Sequence, residues 1–521
     1  MVGSSARPSA QGGGIFEKIK ETAKETFIYG LGGVLNKITG FLLLPLFTRY
    51  LSKSDLGTIA LLTIAQSVLV IIFRWGLSTA FFRSYFEYNE EDKRQMVVST
   101  TFYFLICSSA IGLSPFFIFP EWLSYLVFNG EGDERLLIVT LAATFLDIIN
   151  LVPFVIMKAQ TRSFRYMITT WLSFMVQLAV TILLIVQFQQ RVWGVVIGNL
   201  VGTGVTTLLL FPLVWRHLSF RFSWSELKLL LAYGIPFIFT QLSLRVVMVI
   251  DRFFLDRYAS RAEVGLYALG DTFASLITVL ITQPFALVWP YAKLSMMKRE
   301  NAGEFYSRIL TYLVWTSVFV ALMIVCLSED AIKIMAAKPF WPASRVVPVL
   351  ALFYVLACAN KAFNVGITIH RKSYLTPFIV GAAAAVNIGL NFLLIPRYGM
   401  MGAAWASVFS YLVFNYLRFY ISNRFYQVRY EWGRILKIFA CAALLTFIAK
   451  MISIDNHIIS AIVRGIIGLL FPFALALFGF YDEKEKRKLA EKCRSSLALL
   501  SGARKSAKES VEKIQAVNRE L

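Results

Sequence analysis

Apolar residues along the chain gather into long unbroken runs instead of alternating or following one face of a helix. Runs of about twenty mostly apolar residues occupy 26–48, 57–77, 97–118, 135–157, 167–187 and 193–214, then 229–254, 263–288, 306–327, 343–366, 374–395, 401–421, 435–453 and 458–480. A helix of that length crosses about 30 Å of hydrocarbon. The pattern predicts an all-α, polytopic membrane protein of about fourteen spans. Several runs contain Gly or Pro (Gly32, Gly33, Pro45, Gly234, Pro236, Pro284), which membrane helices tolerate when neighbouring helices satisfy the freed backbone groups.

Comparing the chain with itself shows a duplication. TRYLSKSDLGTIAL (48–61) matches DRYASRAEVGLYAL (256–269) at an offset of 208, pairing Arg49 with Arg257, Tyr50 with Tyr258, Ser52 with Ser260, Asp55 with Glu263, Gly57 with Gly265 and Ala60 with Ala268. The same offset pairs Tyr166 with Tyr374 and Gly194 with Gly402. Each unit holds six spans, an even number, so both enter the membrane in the same direction as a parallel repeat. The expected organisation is an N-terminal segment (1–25), a first lobe (26–215), a basic connector (216–228), a second lobe (229–421), two further spans (422–480) and a basic tail (481–521). Two lobes imply a transporter with a cavity between them; a duplicated bundle that merely scaffolds other proteins is the alternative.

Composition agrees with the spans: 57% of residues are hydrophobic and 16% charged, with mean hydropathy +0.65. Soluble proteins carry about 45–50% apolar and about 25% charged residues, which excludes an ordinary soluble fold. The net charge of +21 first resembles the signature of a nucleic-acid binder. Yet about 35 of the Lys and Arg fall on the even-numbered connections and the termini, against about 12 on the other side. That bias is the positive-inside rule, so both termini are expected in the cytoplasm of a bacterial cell, and no nucleic-acid partner is expected. The polar start MVGSSARPSAQGGG and the long first run do not form a signal peptide. Cys107, Cys326, Cys358, Cys441 and Cys493 show no metal-site or disulfide spacing, so no metal is expected.

Four stretches carry a family resemblance: GLSTAFFRSYFE followed by EEDKRQMVVST (76–100), YGIPFIFTQLSLRVVMVIDRFFL (233–255), GLYALGDTFASL (265–276) and PRYGMMGAAWASVFS (396–410). In order and spacing the chain resembles, over about residues 25–480, the polysaccharide flippases of the multidrug/oligosaccharidyl-lipid/polysaccharide exporter superfamily. The resemblance implies two six-helix lobes in a V, two added C-terminal helices, and alternating access that moves a polyprenyl-pyrophosphate-linked oligosaccharide between leaflets. It also implies Na⁺ or H⁺ as coupling ion, and membrane lipids and polysaccharide-assembly proteins as partners.

Such a substrate needs cations for its phosphates. An ionisable side chain at mid-membrane is costly, so its presence indicates a wet cavity or a partner. Lys37, with Asn36 and Thr39 close by in sequence, lies near the middle of the first span; Arg74 is near the end of the second, Arg245 near the middle of the seventh and Lys361 near the end of the tenth. These four, with Arg83 at the exit of the second span, are the candidate pyrophosphate and cavity residues. Snorkelling competes as the reading of Arg74 and Lys361, ion pairing as that of Lys37 and Arg245, and topology anchoring as that of Arg83. Asp147 and Asp271 are read as partners of buried cations. For a coupling ion the candidates are Asp251, Asn387, Asn391 and Ser407, whose carboxylate, amide and hydroxyl oxygens suit Na⁺; Asp251 alone would suit H⁺. The competing reading is hydrogen bonding between helices.

The 15% aromatic content fits interface belts, and the tail from 481 fits an amphipathic surface helix or a solvated tail. No catalytic residues are expected: there is no GxxxxGK[ST] loop or HExxH motif, and His217, His370 and His457 lie in different connections. A membrane glycosyltransferase would be expected to carry a large outer loop, and the outer connections are short. The transport alternatives are a lipid II flippase and a drug/cation antiporter. The antiporter would want a net acidic cavity, against which Lys37 and Arg245 argue.

Overall fold

A computed structural model describes residues 41, 43–88, 90–452, 454–483 and 485–486, and all regular structure among them is helical. α1 (Leu44–Tyr50) is the end of the first predicted span; Lys37 lies outside the described residues. The first unit continues with α2 (Lys53–Phe73), α3 (Leu77–Glu87), α4 (Glu91–Ile118), α5 (Pro120–Phe128), α6 (Glu134–Ile149), α7 (Leu151–Ala159), α8 (Ser163–Val186) and α9 (Arg191–His217). The second holds α10 (Trp224–Tyr258), α11 (Arg261–Ala274), a π-helical turn at Thr278–Thr282, α12 (Gln283–Met296), α13 (Ala302–Met335), a 3₁₀ segment at Lys338–Arg345, α14 (Val347–Asn360), α15 (Val365–Ile369) and α16 (Thr376–Phe425). α17 (Trp432–Met451), α18 (His457–Leu469) and α19 (Phe471–Leu477) follow.

Twelve stretches among the described residues are long and apolar enough to cross a membrane. One, Ser373–Phe425, contains two predicted spans, 374–395 and 401–421, within 53 residues. It breaks at Gly399, whose φ of 53° and ψ of −132° are outside the helical region. The Glu263 carboxylate accepts the Met400 N–H at 2.7 Å and caps the segment that starts there. The expected fourteen runs are therefore twelve continuous stretches, because this pair is fused and most of the first run lies outside the described residues.

The repeated motif is a helix start used twice. Ser52 accepts from the Asp55 N–H at 3.1 Å to begin α2, and Ser260 accepts from the Glu263 N–H at 3.2 Å to begin α11. These two starts cross, with the repeated glycines at the crossing. A Cβ on Gly265 would collide with the Lys53 carbonyl and approach the Gly57 nitrogen to 3.0 Å; one on Gly57 would collide with the Arg261 carbonyl. Small residues at such crossings let membrane helices pack backbone to backbone where hydrophobic burial offers no drive.

The largest buried cluster joins Leu61, Phe81, Leu137 and Val152 of the first lobe to Leu255, Tyr267, Phe353 and Phe414 of the second. A second cluster brings α17 and α19 onto α13 through Leu313, Cys441 and Phe471. Ile111, Trp122, Leu208, Phe378, Leu436 and Phe473 are exposed on the exterior, an inside-out distribution that suits a lipid-facing surface.

Candidate functional site at the lobe interface

The lobes meet along α2, α3, α10 and α11. Arg245, on α10, donates from Nε to Ser67 Oγ of α2 at 2.9 Å, so one candidate cation bridges the two lobes in the middle of their contact. Nearly two helical turns farther along α10, Asp251 is buried and accepts from the Tyr267 hydroxyl and from the Arg252 N–H at 2.9 Å. Arg252 Nη2 binds Asp271 Oδ2 at 2.7 Å, and the Tyr354 hydroxyl donates to Asp271 Oδ1 at 2.7 Å. The second Arg252 nitrogen lies 3.9 Å from Asp251, and its guanidinium sits 5.4 Å from the Tyr267 ring centre.

This network therefore places two carboxylates around one guanidinium, with Arg245 close enough to interact with both Asp271 and Arg252. Asp271 also lines a cavity of about 380 Å³ between the lobes, with Thr48 of α1, Ala60 of α2, and Gly265, Thr272 and Ser275 of the second unit. Two phenols and two carboxylates thus surround the Arg252 guanidinium in a buried network, of which Asp271 reaches the cavity.

The remaining candidates are distributed as follows. Arg74, at the C-cap of α2, donates to the Asp147 carbonyl at 2.7 Å and pairs with its carboxylate at 3.2 Å, so Asp147 is the expected cation partner, as Asp271 is for Arg252. Trp75 and Gly76 take positive φ and turn the chain into α3, because Gly76 presses on the Gly234 carbonyl of α10. Arg83 is exposed on α3 and stacks on Tyr233 of α10 at 5.0 Å. Lys361 is exposed at the C-cap of α14.

Asn391 Nδ2 donates to Asn387 Oδ1 at 3.0 Å, Asn387 Nδ2 to Ser410 Oγ at 3.2 Å, and Ser410 Oγ to the Ser407 carbonyl at 2.9 Å. All four residues are buried, and Asn391 Oδ1 has no hydrogen-bond partner. The candidate ion ligands thus divide into two groups that share no member: Asp251 joins Tyr267 and Arg252, while Asn387, Asn391 and Ser407 join Ser410. Ser407 contributes its backbone carbonyl here, where the sequence reading had assigned its hydroxyl. No three His, Cys, Asp or Glu form a metal-binding group among the described residues.

Sequence reasoning passed over Arg252. It directly follows Asp251 near the predicted span end at 254, but α10 runs on to Tyr258 and buries it. The signal was present as a DR pair inside an apolar run.

Three comparisons bear on this arrangement. A family model described as polysaccharide biosynthesis protein matches residues 46–335. A protein of the Lsg locus of Haemophilus influenzae is 22% identical over 274 residues, covering 51% of this chain and 65% of that protein, so the match spans just under two thirds of the relative's length. Among solved structures, lipid II flippase MurJ in an inward closed conformation superposes with a TM-score of 0.72 at 14% identity, covering 87% of this chain and 99% of that one. An inward-facing multidrug resistance MATE family transporter of the MOP superfamily follows at 0.61 and 15% identity, covering 80% and 96%. At these identities the two structures carry the fold, which is that of the superfamily expected from the sequence.

Proposed function

The chain belongs to the family of polysaccharide biosynthesis proteins, and on that premise we propose that it moves polyprenyl-pyrophosphate-linked oligosaccharide units across the cytoplasmic membrane by alternating access of its two lobes. The observation that carries the reading is the Arg245–Ser67 bridge: a guanidinium in an apolar helix, held at the lobe interface by a neutral hydroxyl. A pyrophosphate offers Arg245 bidentate, charge-assisted hydrogen bonds that Ser67 cannot match. Binding at this point would exchange a contact between the lobes for a contact to substrate, which is how a ligand biases one conformation over another.

With the positive-inside orientation, the Gly57–Gly265 crossing closes the outer end and the Gly76–Gly234 contact the cytoplasmic end. Asp251 and Asp271 flank Arg252 close to Arg245, so the carboxylate pair and the substrate cation belong to one network. Uptake of H⁺ or Na⁺ would then neutralise the carboxylates, so the same network serves for coupling. Arg74, Lys361 and Arg83 remain candidate substrate cations in this reading, as does Lys37.

The test is translocation of defined lipid-linked oligosaccharides in vesicles under imposed Na⁺ and pH gradients. Arg245→Ala is expected to reduce transport at least tenfold with unchanged protein in the membrane. Normal transport by that variant would remove Arg245 from the substrate path. Rescue of cell-wall growth in a strain lacking its lipid II flippase would overturn the surface-polysaccharide assignment.

A further inference from the structure

Second-lobe helices are irregular at one level. The chain between α11 and α12 passes through the π-helical turn Thr278–Thr282, and the helix containing α14 and α15 is interrupted at Lys361–Asn364. Irregular backbone at membrane depth persists where it is packed in protein or lines a polar cavity, and π-segments concentrate at functional positions.

Three cations converge on this level. Lys293 of α12, 3% exposed, donates to Asn364 Oδ1 at 3.0 Å and to Thr368 Oγ1 at 2.7 Å. Arg418 of α16, 8% exposed, donates to the Asn360 side-chain oxygen and stacks on Phe414 at 4.7 Å, while its buried Nε has no partner. Lys361 stands exposed at the interruption, and Arg418 acts electrostatically on both lysines. Asn360 in turn donates to Asn415 Oδ1 at 2.6 Å. Every partner is neutral, and no carboxylate among the described residues acts on any of the three.

The first lobe handles its own interruption differently. There the break between α6 and α7 at Asn150 lies beside Arg74, and Asp147 compensates the charge. The repeat offset of 208 carries Asp147 onto Val355. The second lobe thus has a broken helix with cations around it and no carboxylate at the position matching Asp147. Buried like charges without a counter-ion are strongly unfavourable, so an anion is the missing component.

We propose that Lys293, Lys361 and Arg418 form a docking site for the diphosphate of an isoprenoid-linked lipid, built wholly from the second lobe and separate from the Arg245–Ser67 bridge. Three positive charges match a diphosphate better than the single charge of a phosphodiester headgroup. An apolar groove of about 270 Å³, lined by Ala359, Phe363, Asn415, Phe419 and Trp432 among others, adjoins the site, and Asn415 belongs to both. It accommodates part of the isoprenoid chain while the head sits on the cations. This site rests on the flippase reading for its ligand class, and deepens it.

The experiment measures binding of farnesyl diphosphate to the detergent-purified full chain, with farnesol, inorganic pyrophosphate and phosphatidylglycerol as competitors. Lys361→Gln, at an exposed position, is expected to weaken farnesyl diphosphate at least tenfold, Arg418→Lys to weaken it also, and Lys93→Gln, at an exposed cation of α4 outside both sites, to change it less than threefold. Competition by pyrophosphate that depends on Lys361 supports the anion site and shows that a free diphosphate also fills it. Competition by phosphatidylglycerol as strong as that of farnesyl diphosphate overturns the diphosphate assignment. Unchanged binding in Lys361→Gln, or an equal loss in Lys93→Gln, overturns the site. Vesicle transport reads the flippase function separately: a chain that binds through Lys361 yet moves no lipid-linked oligosaccharide fails only that reading.

Discussion

Arg74 and Asp147 show what a charge inside the lobes requires. The pair is partly exposed, at 28% and 39% of the side chains, and Arg74 Nε is buried without a partner. Asp147→Asn keeps the shape and removes the counter-charge, leaving a guanidinium against a neutral amide. Losing a charged hydrogen-bond partner costs about 1.5–3 kcal/mol, and solvent at this site places the expectation at the lower end. Thermal unfolding in detergent should fall for Asp147→Asn and for Arg74→Leu singly, and recover most of the loss in the double Arg74→Leu/Asp147→Leu, since an apolar pair removes both desolvation costs. A double variant no better than the singles would mean the pair does more than neutralise itself. At this scale the sequence was partly legible. That mid-span cations need carboxylates singled out Asp147 and Asp271, but which cation each one takes depends on helix ends. Arg252 lay two residues inside the predicted span limit of 254 and Lys293 five beyond that of 288, whereas the helices run on to Tyr258 and Met296 and bury both side chains. Polar residues near a span end read as interface anchors until the real end is known.

At the scale of elements, the duplication was legible because it repeats a physical device. Ser52 and Ser260 cap, and Gly57 and Gly265 let the capped helices cross, so selection for one geometry preserves both copies of the pattern. What the pattern did not reveal is that the two copies touch each other, because an offset carries no information about contact. Helix breaks at Asn150 and Lys361 were also illegible, since both fall inside single predicted spans, and at Gly76 the sequence showed a span end but not the close approach to the Gly234 backbone that accompanies it. The crossing makes a test in which two effects oppose. Replacing a helical glycine by alanine favours the helix by about 1 kcal/mol. At Gly265 the added methyl meets the Lys53 carbonyl, whereas at Gly389 in α16 it meets nothing within 4 Å. Gly265→Ala should therefore lower the unfolding temperature in detergent and reduce transport, while Gly389→Ala should leave both unchanged or raise stability slightly. Equal responses at the two positions would remove the crossing from the structural argument.

At the scale of the whole molecule, the lobes touch at both ends, and alternating access requires those two sets of contacts to open in turn. At the Gly57–Gly265 end, Arg261 donates to the Glu131 carbonyl at 2.8 Å and the Phe128 carbonyl at 3.0 Å, and Arg257 to Asn129 Oδ1 at 3.1 Å. At the other end, the Tyr88 hydroxyl donates to Glu226 Oε1 at 2.7 Å beside the Arg83–Tyr233 stack. The hydrogen bond to Glu226, with burial, pushes the Tyr88 hydroxyl up to about 12, so it remains a neutral donor throughout the physiological range and its bond does not act as a pH switch. Ser275 lines the cavity between the two ends and reports which one is open. Arg261→Ala weakens the first closure and Tyr88→Phe the second. A change of 1.4 kcal/mol in the balance of two states alters their ratio tenfold, and the arginine loses at least two charged hydrogen bonds, worth about 1.5–3 kcal/mol each. In a background whose five cysteines are replaced by serine, Ser275→Cys should react with an impermeant maleimide added outside at least tenfold faster with Arg261→Ala and more slowly with Tyr88→Phe. Opposite shifts are the requirement, because a loosened bundle without alternation would speed labelling in both, and that result would sink the two-gate mechanism while leaving the fold intact.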